Sequence, residues 1–248
     1  MNSIAISGIT FACVFGGALF GLFLRTRLRE HHLATETKDV VKMGVGLIAT
    51  MTALVLGLLV ASAKSSFDTQ KSELAQISAN VVMLDRALAH YGPEATGIRE
   101  MLRGVVEHLI DLFWPTEHSP QAQPYTASEM VYEKLQGLSP KNESQRSLQA
   151  QGLKIAVDIA QTRWLLFAQK SSAISPPFLT VVVFWLTITF ISFGLYASRN
   201  LVVFVTLFVC SLSVAGALFL VTELDRPFEG LIQISSEPMR NALGQLGR

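Results

Sequence analysis

Four stretches of the chain carry no charged residue and are long enough to cross a bilayer as helices. They are Ile4–Leu24, Met43–Ala63, Pro177–Ala197 and Leu201–Thr222. A spanning helix needs about 20 predominantly apolar residues, so the pattern predicts four transmembrane helices. Basic residues follow the first stretch instead of preceding it, which favours a span over a signal peptide.

The second stretch continues without a helix breaker into Lys64–Ala89. Apolar residues there recur at steps of three and four, which is the spacing of one helical face. They are Leu74, Ile77, Val81, Leu84 and Leu88. The pattern predicts one rod of about 47 residues, roughly 70 Å long, that begins in the bilayer and leaves it.

Lys64–Ser175 is the sizeable segment outside the predicted spans, and its pattern is helical. The rod is predicted to end at Gly92, before a proline. Three further helices are predicted, over about Glu94–Phe113, Thr126–Gly137 and Ser139–Ser172. The last would begin with Ser139 as N-cap and Pro140 at the first helical position. The predicted fold class is therefore all-α, with four transmembrane helices and an extramembrane helical bundle or hairpin between the second and third.

The predicted elements divide the chain into four segments. The transmembrane helices lie in residues 1–63 and 176–222, a helical domain lies in 64–175, and an interfacial C-terminal segment lies in 223–248. An even number of crossings places both termini and the helical domain on one side of the membrane. The loop Arg25–Lys42 contains five Lys or Arg residues. The positive-inside rule places that loop in the cytoplasm and the helical domain outside.

Composition agrees with a membrane protein and narrows the chemistry. Half of the residues are hydrophobic and 16% are charged, and the mean hydropathy is +0.40. A net charge of +1 gives no basic surface for nucleic acid. Cys13 and Cys210 lie in different apolar stretches, so neither a disulfide framework nor a metal site is indicated. No phosphate loop, nucleophile elbow or carboxylate–histidine pattern is present, so we expect neither an enzyme nor a cofactor.

Small or weakly polar residues recur along one face of the second span. They are Gly46, Thr50, Ala53, Gly57 and Ala61. Such a stripe is typical of a close helix–helix contact in membranes. It could instead line a narrow central passage in an oligomer, where small side chains leave room and Thr50 offers a hydroxyl. Spacing favours packing and leaves both interpretations open.

The first span contains a G-x-x-x-G pair, Gly17 and Gly21. Small residues at this spacing let two helix backbones approach closely in lipid. The pair is also common by chance in apolar segments, so the sequence leaves the contact as one of two interpretations.

The fourth span ends in a distinctive motif that contains Glu223, Asp225, Pro227 and Phe228. In one interpretation Asp225 lies at headgroup depth and Pro227 ends the span. In the other, Glu223 and Asp225 form a ring of carboxylates at a pore mouth or bind a cation. That second arrangement requires the helix to unwind, because residues i and i+2 do not share a helical face.

The segment Glu223–Pro238 resembles the signature of the bestrophin-like family of bacterial membrane proteins. Gly57–Asp68, Glu73–Ile77 and Phe193–Tyr196 resemble other blocks of that family, and together the matches cover nearly the whole chain. The resemblance implies a multi-pass protein of the bacterial inner membrane.

The family is similar in layout to bestrophins, which are oligomeric anion channels with four spans and a calcium clasp after the fourth. The resemblance implies a homo-oligomeric ring in the bilayer, with a pentamer as the candidate stoichiometry and small ions as partners. It places the helical domain in the cytosol, opposite to the indication from loop charge. Met43–Ala63 contains no aromatic residue, unlike the aromatic neck of bestrophins, and the acidic run after Phe228 is reduced to Glu229.

The sequence therefore predicts passive ion conduction through a ring whose second spans face the axis. The alternative is a non-conducting membrane scaffold or sensor whose helical domain binds a partner.

Overall fold

The computed structural model describes residues 2–27, 35–114, 127–169, 176–198 and 200–247. In these ranges the chain forms α-helices, a 3-10 turn at Pro93–Ala95 and no β-strand, which confirms the all-α class. The helices are α1 (Ser3–Arg27), α2 (Thr35–Tyr91), α3 (Thr96–Phe113), α4 (Ala127–Gln136), α5 (Glu143–Gln169), α6 (Pro176–Tyr196), α7 (Leu201–Leu224) and α8 (Glu237–Gln245).

Four helices in the described part of the chain are long and apolar enough to cross a membrane. They are α1, α2 over Asp39–Tyr91, α6 from Pro177, and α7. These are the four segments that the hydrophobic pattern predicts. The helices α1 and α7 continue a few residues beyond the apolar stretches, to Arg27 and Leu224.

The helix α2 is continuous over 57 residues. It begins at Thr35 and not at Met43, so part of the predicted loop Arg25–Lys42 is helical, because no glycine or proline interrupts it there. It ends at Tyr91, as predicted, and Gly92 follows with a φ of 127°. Residues with a side chain rarely adopt that conformation, so glycine fits this end of the helix.

The chain divides into two units. The membrane unit contains Met1–Phe67 and Ser172–Ile232, and the helical unit contains Asp68–Ser171 and Gln233–Arg248. The membrane unit therefore holds α1, α6, α7 and the apolar part of α2. The helical unit holds the polar part of α2 together with α3, α4, α5 and α8.

In the membrane unit, α1 packs against α6 and α7. The buried core of this contact consists of Val14, Ala18, Val182, Leu186, Phe190, Leu207 and Leu218. From α2, Val55, Leu56 and Leu59 pack against the core and stay partly exposed. One side of α2 is therefore attached to the bundle.

Glycines make the approach of α1 to α6 close. A Cβ atom added at Gly21 would collide with the carbonyl oxygen of Ile191, and one added at Gly194 would collide with that of Ala18. At Gly17 an added Cβ would lie 3.0 Å from Cγ2 of Thr187. The G-x-x-x-G contact is therefore confirmed, and its partner is α6.

In the helical unit the predicted face of α2 is the core. Its five apolar residues are between 0% and 2% exposed, which confirms the helical periodicity. The apolar face of α3 is buried as well, at Ile98, Leu102, Val105, Val106, Leu109, Ile110 and Phe113. At Gly152 of α5 an added Cβ would lie 3.5 Å from Leu84 and 3.2 Å from Leu135, so α5 packs closely on α2 and α4 there.

The predicted start of α5 is wrong. The helix begins at Glu143 and not after Ser139, because Asn142 provides the N-cap. Its Oδ1 accepts the backbone N–H of Gln145 at 2.8 Å, and asparagine is as good an N-cap as serine. The capping residue Thr126 and the predicted helix end at Ser172 lie outside the described residues.

A buried ion pair joins α2 to α3. Asp85 is 2% exposed, and its two oxygens accept from Nε and Nη2 of Arg99 at 2.7 and 2.9 Å. This bidentate hydrogen bond to Asp85 is the main cause that raises the pKa of Arg99, and the negative charge of Asp85 adds to it. The guanidinium therefore stays charged over the working pH range.

The chain end packs into the helical unit next to α3. The helix α8 contacts α3, and Met239 and Ala242 are buried. Ahead of α8, the indole N–H of Trp114 donates to the carbonyl oxygen of Ile234 at 2.8 Å. The terminal helix is thus fixed at two points.

Candidate functional site

Within the membrane unit α2 has two contrasting sides. Thr52 and Ala63 are buried against the bundle. The predicted stripe lies on another side, and all five of its residues are exposed. They are Gly46, Thr50, Ala53, Gly57 and Ala61. The α2 side chains that pack against the bundle core are therefore separate from the stripe, although Gly46 borders a pocket beside α6 and α7.

The stripe has no close neighbour among the described residues at its two glycines. A Cβ atom added at Gly46 or at Gly57 would meet no other atom within 4 Å. Among the described residues, the two glycines of the stripe therefore make no close packing contact within the chain. Contact with lipid, a contact between copies of the chain and a central passage all fit its exposure.

The polar group of the stripe, the hydroxyl of Thr50, already makes one hydrogen bond within α2. The hydroxyl of Thr50 donates to the carbonyl oxygen of Gly46 at 2.9 Å, an internal bond typical of threonine in apolar helices. The oxygen keeps lone pairs that can accept a hydrogen bond or contact a cation. Thr50 therefore offers an acceptor to whatever occupies the space beside it.

Where α7 ends, the segment that follows the helix turns back and contacts Glu223. This residue is 3% exposed, and its Oε2 accepts the backbone N–H groups of Leu231 and Ile232 at 2.6 and 3.3 Å. The carboxylate thus satisfies two donors in the segment that follows the helix. These residues form the exit clasp.

Gly230 completes the exit clasp. Its φ is 87°, and a Cβ atom there would collide with the carboxylate of Glu223. The neighbouring Pro227 and Phe228 are buried. The backbone conformation therefore favours glycine at this position, and a larger residue would also require the carboxylate of Glu223 to move.

The two carboxylates of the motif have different surroundings. The helix α7 does not unwind before Leu224, and Asp225 is its half-buried C-cap. The backbone contacts of Glu223 favour a structural role for that residue. In the described part of the chain, no group of three or more His, Cys, Asp or Glu side chains is placed to hold a metal ion.

Sequence reasoning missed a pocket of about 480 Å³ in the membrane unit. It lies between α2, α6 and α7, and its walls include Lys42, Gly46, Ala49, Phe193, Ala197 and Leu207, so the first residue of the stripe also borders this pocket. The lining combines α2 with the consecutive helices α6 and α7, which are distant from α2 in the chain. No local spacing could have revealed it.

These features define a multi-span α-helical membrane protein with a helical unit outside its apolar segments. The comparison with family models identifies it further, because the model of the Bestrophin-like domain matches residues 12–239. The chain belongs to the bestrophin-like family. Searches of curated proteins and of solved structures gave no significant match.

Proposed function

We propose that this protein assembles as a homo-oligomeric ring in a bacterial inner membrane and conducts small ions passively. The stripe on α2 faces the axis of the ring. The observation that carries the proposal is the exposure of all five stripe residues, while the opposite side of α2 is packed against its own bundle.

The composition of the stripe suits an axial position. Glycine, alanine and threonine leave room beside a helix, and hydroxyl and backbone oxygens can replace part of an ion's hydration shell. Exposed leucines such as Leu54 and Leu58 lie next to the stripe on the same helix. These larger side chains are suited to contacts with neighbouring subunits or lipid.

Family membership supports the same function. Bestrophins, which the family resembles in layout, are oligomeric channels, and their pentamer is the stoichiometry that we propose here. Four crossings of the bilayer then place both termini on one side of the membrane. The exit clasp, with Asp225 and Pro227, fixes the polypeptide where α7 leaves the bilayer.

A non-conducting scaffold or sensor is the second candidate. The observation that favours it is an exposed apolar row on α5, where Val157, Trp164 and Leu165 are 48%, 65% and 47% exposed. Such a row on an extramembrane helix is typical of a protein contact. In this function the stripe on α2 would serve only to pack one subunit on another.

Bulky substitutions in the stripe discriminate between the two candidates. The variants Gly57→Trp and Thr50→Trp are expected to reduce ion flux to the level of protein-free liposomes, because the indole fills the axial space. Their oligomeric mass in detergent should equal that of the wild type. Leu212→Trp is the control, because it adds an indole at an exposed position of α7 and should conduct normally.

Two results would contradict the channel function. The first is a reconstituted wild-type protein without flux at any tested voltage, pH or calcium concentration. The second is loss of the oligomer in both stripe variants, which is the behaviour expected of a scaffold whose stripe is a packing surface.

A further inference from the structure

The pocket between α2, α6 and α7 is apolar over most of its wall. Val45, Ala49, Phe193, Val202 and Leu207 are among its lining residues. Its volume of about 480 Å³ falls within the range of small-ligand sites. The walls belong to segments that cross the membrane, where hydrocarbon is the surrounding solvent.

The pocket has one charged end. Lys42 lines it, and it lies two helical turns before Ala49, so the pocket extends along α2 for about 10 Å. At the lysine end, α6 finishes at Tyr196 and Ala197 contributes to the wall. Lys42 and Tyr196 therefore lie where the helices leave the apolar layer, while the hydroxyl residues Ser192 and Thr206 line the wall further in. The hydroxyl of Thr206 donates to the carbonyl oxygen of Val202 at 2.8 Å.

A second cation is attached to the same end. The guanidinium of Arg25, at the end of α1, donates to the carbonyl oxygen of Ala197. A guanidinium has five N–H donors, so this bond leaves others for an anion. None of the described lining residues of the pocket is acidic. The charged side chain of the described wall and the one attached to it are therefore both basic.

We propose that this pocket binds an anionic phospholipid. One acyl chain occupies the apolar wall, and the phosphate of the headgroup lies at Lys42 and Arg25. Basic pockets between transmembrane helices bind anionic headgroups in this way. An acyl chain fits the remaining wall because both are mainly apolar. Its binding therefore buries no polar group of the ligand without a hydrogen-bond partner. The inference is independent of ion conduction.

Lipid binding to the purified full-length oligomer tests the proposal. After delipidation in detergent, native mass spectrometry compares phosphatidylglycerol with phosphatidylcholine that carries the same acyl chains. We expect preferential binding of phosphatidylglycerol. Lys42→Gln should weaken that binding about fivefold, the effect of one cation near a membrane surface. Binding of phosphatidylcholine should not change. Lys64→Gln removes the same charge at the other end of the apolar part of α2 and should have no effect.

A steric variant tests the acyl-chain part. Ala49→Phe fills the pocket and should reduce the binding of both lipids, whereas Ala53→Phe adds the same ring on the exposed side of α2 and should not. Equal binding of the two lipids in wild type and Lys42→Gln would overturn the proposal. So would full displacement of phosphatidylglycerol by inorganic phosphate, which would reduce the site to an anion site. A wild-type oligomer that binds neither lipid would indicate that another subunit covers the pocket, and it would equally overturn the proposal.

Discussion

Replacement of Gly21 by alanine is expected to destabilise the membrane unit by about 3 kcal/mol or more. Over-packing of a core costs about 1–3 kcal/mol when side chains can adjust. Here the obstacle is the carbonyl oxygen of Ile191, which belongs to the backbone of a packed helix and cannot rotate away. Because Gly194 meets the carbonyl of Ala18 in the same manner, the whole crossing of α1 and α6 would have to separate.

Thermal unfolding of the purified protein in detergent measures this loss. Gly16→Ala is the matched control, because the added Cβ meets no atom within 4 Å. It should be neutral or slightly stabilising, since alanine favours a helix over glycine by about 0.5–1 kcal/mol. A Gly21→Ala protein as stable as Gly16→Ala would show that the helices do not cross at this glycine.

Replacement of Glu223 by alanine is expected to open the exit clasp. The substitution removes the acceptor for the N–H groups of Leu231 and Ile232. Hydrogen bonds to a charged group contribute about 1.5–3 kcal/mol each, so the expected loss for two bonds is about 3–6 kcal/mol. Part of this loss arises because the two donors are left without an acceptor in a segment that is partly buried.

Two comparisons make the result specific. Glu223→Gln keeps one carbonyl oxygen and should lose less stability than Glu223→Ala. Glu229→Ala removes an exposed carboxylate from the same motif and should change the unfolding temperature little. If Glu223→Ala and Glu229→Ala unfold at the same temperature, the carboxylate of Glu223 does not stabilise the turn. If calcium raises the unfolding temperature of the wild type and not that of Glu223→Ala, then Glu223 is a cation ligand instead.

The elements that the sequence predicts well are those whose signal is local. Four charge-free stretches identify the spans, and the three-and-four spacing from Leu74 to Leu88 identifies the buried face of α2. The end of that helix could be predicted from Gly92. Each of these signals lies within one continuous segment and does not depend on what packs against it.

The parts that could not be predicted depend on partners that are distant or compete locally. Ser139 and Asn142 are both good N-caps, and only the geometry of the turn selects Asn142. The role of Glu223 depends on a turn that returns Leu231 to it. Spacing showed that Gly46 and Gly57 share a face, but it could not show that the face is exposed.

The most direct test of the proposed function is the structure of the detergent-purified oligomer, determined by electron cryomicroscopy. We expect a closed ring in which the α2 helices surround a continuous axial passage, with Thr50 and Gly57 facing it. A monomer would contradict the proposal. A dimer with the Gly46–Ala61 face buried between two helices would contradict it too, and it would make the stripe a packing surface.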